Sequence, residues 1–178
     1  MPNSLSFCFA QPSKEYNKVK ESKMIQAASN GKAITNKKIF SRETAVSIDI
    51  KADKSIIWAL LTNADDFPRW NSTVISIEGM IAPDEKIKLK AKLDPKREFK
   101  LKIKAFEADN RLVWGDAMGN RVYTLKSIGN DLINFSMVEK IGGPLFPLFA
   151  KMIPPFDDVF EQFAQDLKME SETIMSAK

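Results

Sequence analysis

From Glu43 onward the chain is written in short alternations of hydrophobic and polar side chains, broken by turn residues and by two stretches with a helical period. Val46, Ile48 and Ile50 alternate with Ser47, Asp49 and Lys51, which predicts a strand with one buried face. Asp53 then stands where an N-cap belongs, ahead of a helix whose Ile56, Ile57, Leu60 and Leu61 supply an apolar stripe. A short second helix over 64–67 ends at Pro68. Trp70 and Asn71 open the next strand, in which Val74, Ile75 and Ile77 lead to a turn at Gly79, and Pro83-Asp84 marks a further break.

The most regular stretch spans residues 86–106. Ile87, Leu89, Ala91 and Leu93 alternate with Lys86, Lys88, Lys90 and Lys92; after a turn expected at Asp94-Pro95, Phe99, Leu101, Ile103 and Ala105 alternate with Lys100, Lys102 and Lys104. This predicts an antiparallel hairpin with its apolar face inward and all seven lysines on one outer face. Strands over 112–115, 121–128 and 132–140 follow, separated by Asp109-Asn110, Met118-Gly119-Asn120 and Gly129-Asn130-Asp131. Beyond Gly142-Gly143, the residues Phe149, Met152, Phe156, Phe160, Phe163 and Leu167 recur at helical spacing. Pro154 and Pro155 suit a first helical turn, and Asp157 and Asp158 lie where a helix N-terminus favours negative charge. The order predicts an α+β domain, a seven-stranded curved antiparallel sheet wrapped around a long C-terminal helix with two short helices after the first strand. Such a wrap leaves a concave apolar space.

At this point the chain resembles the SRPBCC superfamily, the START-like helix-grip proteins that include the polyketide cyclase/dehydrase and lipid-transport families. The resemblance rests on SIDIKADKSIIWALLTN, DDFPRWNSTVISIEG, the strand LVWGD, LINFSMVEKIGG running toward a helix, and a terminal helix ending in LK, and it spans about residues 43–170. Ser72 stands where such members often carry proline. The resemblance implies a hydrophobic ligand cavity between sheet and long helix; it implies no particular reaction, because one fold hosts carriers and cyclases alike.

Composition narrows the chemistry. The chain of 178 residues has no histidine and one cysteine, Cys8, which removes the commonest neutral-pH base, the usual zinc sets and any internal disulfide. No metal or cofactor is expected. Residues 86–104 carry nine basic side chains against two acidic, and residues 1–42 eight against two, on an otherwise acidic body. Residues 1–41 are polar and aperiodic, read as a disordered extension ahead of a single domain over 42–176. No apolar run is long enough for a membrane span, and a cytoplasmic location is expected.

Phe67, Trp70, Trp114, Tyr123, Phe135, Phe149, Phe156 and Phe160 are the candidate walls of the cavity, though inward aromatics serve equally as plain core. Asn71 and Glu139 are the polar groups placed to orient a ligand, with Arg97, Arg121, Tyr123 and Ser136 as further candidates. Glu139 shares the parity of Ile133, Phe135 and Met137, so an inward carboxyl there needs a partner; exposure at the rim is its alternative. Three functions stay open: binding or transport of a small lipid-, isoprenoid- or polyketide-like ligand, with Gly142 to Pro155 gating access; a cyclase or dehydrase using Glu139 or Tyr123; and a peripheral factor meeting an anionic membrane through Lys86, Lys88, Lys90, Lys92, Lys100, Lys102 and Lys104. Nucleic acid is disfavoured, because almost no aromatic side chains interleave with those lysines.

Overall fold

The computed structural model describes residues 23–25 and 28–178. Eight strands form one sheet: β1 (Ile34–Lys37), β2 (Ser41–Lys51), β3 (Val74–Glu78), β4 (Lys86–Ala91), β5 (Asp94–Glu107), β6 (Arg111–Gly115), β7 (Gly119–Gly129) and β8 (Leu132–Gly142). Their spatial order is β1-β2-β8-β7-β6-β5-β4-β3, every neighbouring pair antiparallel. β2 and β3 follow each other in the chain but lie far apart in the sheet. The connection between them carries α1 (Lys54–Thr62), a 3-10 turn (Ala64–Asp66) and α2 (Phe67–Trp70). Hairpins from β3 onward then bring β8 back against β2. Past a short α3 (Phe146–Phe149) and a second 3-10 turn (Ala150–Met152), α4 (Asp157–Ser176) packs on β2 and α1. Its 20 residues give a rod of about 30 Å.

Seven strands fall where the alternation places them; the eighth, β1, does not announce itself. Its sequence ITNK holds one apolar residue, so main-chain pairing with Arg42–Ala45 does the work that a pattern would reveal. The segment before it is also tied to β2: Gly31 N–H donates to Ser47 O, and Ser47 N–H donates to Ala28 O. Ala28, Ala45 and Val138 form a small second core on the outer face. The expected extension therefore ends earlier than residue 41, because residues 28–41 extend the sheet edge. The rest of it, residues 1–22 with Cys8 and residues 26–27, lies outside the described residues.

Local irregularities move several other expected positions. β4 and β5 pair Ala91 with Asp94, so the hairpin turns at Lys92-Leu93 rather than at Asp94-Pro95. Between Ile103 and Ala105 the pairing with β6 slips by one residue, a bulge at Lys104 that reverses the parity beyond it. Phe106, not Ala105, consequently faces inward and meets Trp58 edge-on at 5.1 Å. Pro154 and Pro155 lie just ahead of α4, whose first turn holds Asp157 and Asp158. Met152 is exposed, so the buried stripe runs only from Phe156. Asp53 occupies the N-cap position of α1 without capping it; Lys178 Nζ takes its carboxylate at 2.7 Å.

The inward side of α4 presents Phe160, Phe163, Ala164 and Leu167 to the sheet. Phe163 sits at the centre, with ring centroids of Trp70, Tyr123, Phe67 and Phe135 between 5.7 and 6.3 Å away. Asp166, also buried, accepts hydrogen bonds from Ser72 N–H, Ser72 Oγ and Gln162 Nε2, all at 2.7 Å, and so joins the helix to the turn after α2. A proline at 72 would lack the N–H that this carboxylate uses. Because Phe163 touches three elements through four rings, Phe163→Ala is expected to lower unfolding free energy by about 3–5 kcal/mol in urea titrations.

Candidate functional site

Strand register lines up the inner face of the sheet. Along β2 the inward residues are Arg42, Thr44, Val46, Ile48 and Ile50; opposite them on β8 stand Ile141, Glu139, Met137, Phe135 and Ile133. β7 continues the rows, with Arg121 beside Glu139, Tyr123 beside Met137 and Leu125 beside Phe135, and Trp114 of β6 pairs with Arg121. One physical consequence follows from these rows. The interior is apolar over most of its length and becomes charged at the end where β8 leaves the sheet.

At that end Arg121 Nε and Nη2 both donate to Glu139 Oε2. The two side chains are only 18% and 14% exposed, so each charge depends on the other for the water it has lost. Burial works against the Arg121 charge, but the Glu139 carboxylate outweighs it and holds the guanidinium above its ordinary pKa. Arg121 also lies over the Phe160 ring at 5.1 Å. Glu139 was the polar position singled out by parity, and its partner is the neighbour that the register supplies.

Tyr123 lies one inward step along β7 from Arg121, 1% exposed. Its hydroxyl is buried beside the Arg121 guanidinium, close enough for the two to interact but without a well-formed hydrogen bond. Burial raises its pKa well above the ordinary tyrosine value, with the Arg121 charge opposing and Glu139 adding. Arg42 completes the layer: Nη1 donates to Ile153 O at 3.1 Å and Nη2 to Pro154 O at 2.7 Å, while its guanidinium lies 4.5 Å from the Phe156 ring centre. Its Nε is buried with no partner, and burial lowers its pKa. Arg42 is absent from the sequence-derived set. The available signal was parity with Thr44 and Val46, hidden because residue 42 adjoined the expected extension.

The other expected wall residues divide into groups. Phe67, Trp70, Trp114, Tyr123 and Phe135 are brought together around Phe163, and Trp114 meets Tyr123 edge-on at 4.9 Å. Phe156 and Phe160 stack in parallel at 6.0 Å next to the charged layer. Phe149 belongs to α3, half-buried, before the closing helix begins. Asn71 is buried, and its Oδ1 shapes the turn by accepting from Thr73 N–H and Oγ1; its Nδ2 and the indole N–H of Trp70 have no partner. In this conformation these rings pack against one another. Two concavities lie at the surface: an open groove of about 860 Å³ beside Lys104, Met118, Lys140 and Gly142, and one of about 310 Å³ beside Gly31, Glu161 and Gln165.

The hairpin lysines form a less uniform row than their spacing suggests. Lys86 pairs across from Lys102, and Lys88 from Lys100, so four share neighbouring outward positions. Lys88 lies 3.5 Å from Glu78 and 3.7 Å from Glu98, and Lys102 lies 3.0 Å from Asp84. Lys104, at the bulge, donates to Asp116 O and Asn120 Oδ1. Lys90 is half-buried beside a register shift, and Lys92 sits in the turn, not on the strand. The expectation of seven lysines on one strand face is thus modified at Lys92, which lies in the turn, and at half-buried Lys90.

The Tyr123 hydroxyl has an energetic signature. Its folded pKa is raised, so its contribution to stability is present below the unfolded value of about 10 and is lost as pH climbs beyond it. Tyr123→Phe removes a buried hydroxyl that lacks a well-formed hydrogen bond, and is expected to leave neutral-pH stability unchanged or raise it by up to about 1–3 kcal/mol. Comparing urea midpoints of the two proteins at about pH 8 and pH 11, the variant should lose less stability than the parent; parallel losses would contradict this.

No protein-family model and no curated protein sequence matches the chain. Solved structures do. A START superfamily protein from Mycobacterium smegmatis superposes with a TM-score of 0.55 at 11% identity, covering 74% of this chain and 98% of that one. A Thalictrum norcoclaurine synthase, a point mutant in complex with a transition-state analogue, gives 0.58 at 9% identity, covering 78% and 99%. A conserved protein of unknown function from Enterococcus faecalis gives 0.56 at 14% identity, covering 89% and 98%. With identities this low the likeness is one of architecture: an antiparallel sheet closed by a C-terminal helix. The chain has a START-like, SRPBCC-type helix-grip fold.

Proposed function

We propose that this protein binds a small, mostly apolar molecule with one polar end, of lipid, isoprenoid or polyketide type, between the sheet and α4. The observation that carries the reading is a pair of buried groups without well-formed hydrogen bonds at the charged end of an aromatic interior: Tyr123 Oη, beside the Arg121 guanidinium, and Arg42 Nε. Buried polar groups are ordinarily bonded, and leaving one unpaired costs about 1–3 kcal/mol. A ligand oxygen would satisfy them, and the rings around Phe163 would meet its apolar body. The fold supports the reading, since the norcoclaurine synthase of similar architecture holds a transition-state analogue.

Because the rings pack together, binding requires the cover to shift. The cover at the charged end is the connection from Gly142 to Pro155, held by Arg42 through Ile153 O and Pro154 O and by Gly143 N–H on Phe40 O. Opening there exposes Phe156 and Phe160 first. The cyclase or dehydrase alternative draws less support from the same geometry. Glu139 Oε2 already accepts two N–H groups from Arg121, and burial holds the proton on Tyr123.

The probe 8-anilinonaphthalene-1-sulfonate, an aromatic body with one anionic end, tests this directly. Saturable fluorescence enhancement is expected, with affinity about tenfold lower, or about 1.4 kcal/mol, in Tyr123→Phe and in Arg121→Met. Met80→Asp, exposed and outside the cover, should leave it unchanged. Equal affinity in all four proteins would overturn the site. Gly143 has a φ of +149°, backbone that an L side chain rarely adopts. Gly143→Ala is therefore expected to strain the closed connection and speed probe dissociation in stopped-flow traces; unchanged rates would remove the connection as the route.

A further inference from the structure

At the same end of the sheet, but on its outside, two loops meet. The β1–β2 turn raises Ile39 and Phe40, and the stretch after β8 raises Leu145, Leu148 and Met152. Gly143 N–H donates to Phe40 O at 3.0 Å, which joins the loops into one surface. Ile39, Leu148 and Met152 are 76%, 77% and 81% exposed, an unusual cost for large apolar side chains gathered at one tip.

The charge around them is of one sign. Residues 36–42 and 140–153 contain the exposed Lys37, Lys38, Lys140 and Lys151, the buried Arg42 and no acid; the nearest acid on the outer face, Glu43, stands across from Lys140. The β6–β7 turn adds Asp116 nearby, but its Oδ1 is occupied by the N–H groups of Met118 and Gly119. The open groove beside this tip carries Lys104 and Lys140. Apolar side chains that stand out singly from loops, ringed by lysines, suit insertion among acyl chains with cations at headgroup depth. A protein partner would more readily use a flat, continuous apolar face.

We infer that the tip formed by the β1–β2 turn and the 143–153 connection docks this protein on an anionic phospholipid bilayer. This surface is separate from the β4–β5 lysine row, whose Lys88 and Lys102 lie beside acids of the same protein. It stands whether or not a ligand binds inside.

Sedimentation with vesicles tests it, using phosphatidylcholine alone and phosphatidylcholine with about one third phosphatidylglycerol. The full chain is expected to bind the anionic vesicles and to release as salt is raised. Leu148→Asp with Met152→Asp should weaken binding at least about tenfold, because two apolar contacts are replaced by charges that the bilayer repels. Lys88→Glu with Lys100→Glu should stay within about twofold of the parent. All positions are exposed, and thermal unfolding of each variant confirms that it folds. No binding by the parent, or full binding by the Leu148/Met152 variant, overturns the inference, and so does loss confined to the hairpin variant. A tip that serves a protein partner instead would give the first of these results.

Discussion

A sheet that shows water one face must press the other on something apolar, and in this chain α4 is long enough to cover that face. The contact is aromatic rather than aliphatic. Phe163 reaches toward Phe67 and Trp70 from the helical connection and toward Tyr123 and Phe135 from the strands. It thereby joins the crossover between the sheet's distant strands to the helix that closes them. Asp166, three residues on, repeats the link in polar form through Ser72. Arg69 adds a third link to the helix through Glu170.

That arrangement also explains where polarity is tolerated. Deep in the wrap, between Ile50 and Phe135, every inward position is apolar, because no solvent or partner is available. Near Gly142 the helix has only begun, its cover is a looped connection, and the inward rows change to Arg42, Thr44, Arg121 and Glu139. Charge there is sustained by pairing, by carbonyls of the connection and by the faces of Phe156 and Phe160. The polar end and the thin cover coincide because both follow from the same gap in the packing.

Much of this was legible in the sequence, since period-two alternation is a direct record of one buried face. Val46 to Ile50, Ile87 to Leu89 and Ile133 to Met137 all point as their parity says. What alternation cannot show is a residue inserted into a ladder: the bulge at Lys104 turned Phe106 inward and Ala105 away. Nor can it show a strand such as β1 that is held chiefly by main-chain pairing, with Ile34 its one apolar contact. The site was legible in half. Glu139 was found because it continues a row of apolar neighbours, whereas Arg42 was missed because its row begins with it, and because its partners Ile153 and Pro154 are carbonyls more than a hundred residues away. Backbone acceptors leave no trace in side-chain pattern.

The Arg42 guanidinium is a rigid planar group with its three nitrogens at set angles. Two of them clasp the connection, and the third is buried with nothing to hold. Any atom that engages the third must do so in the orientation that the first two impose, and any shift of the connection must swing the third away. Cover and interior are therefore not independent parts: one flat side chain makes the posture of the connection and the polarity felt inside it two readings of a single degree of freedom.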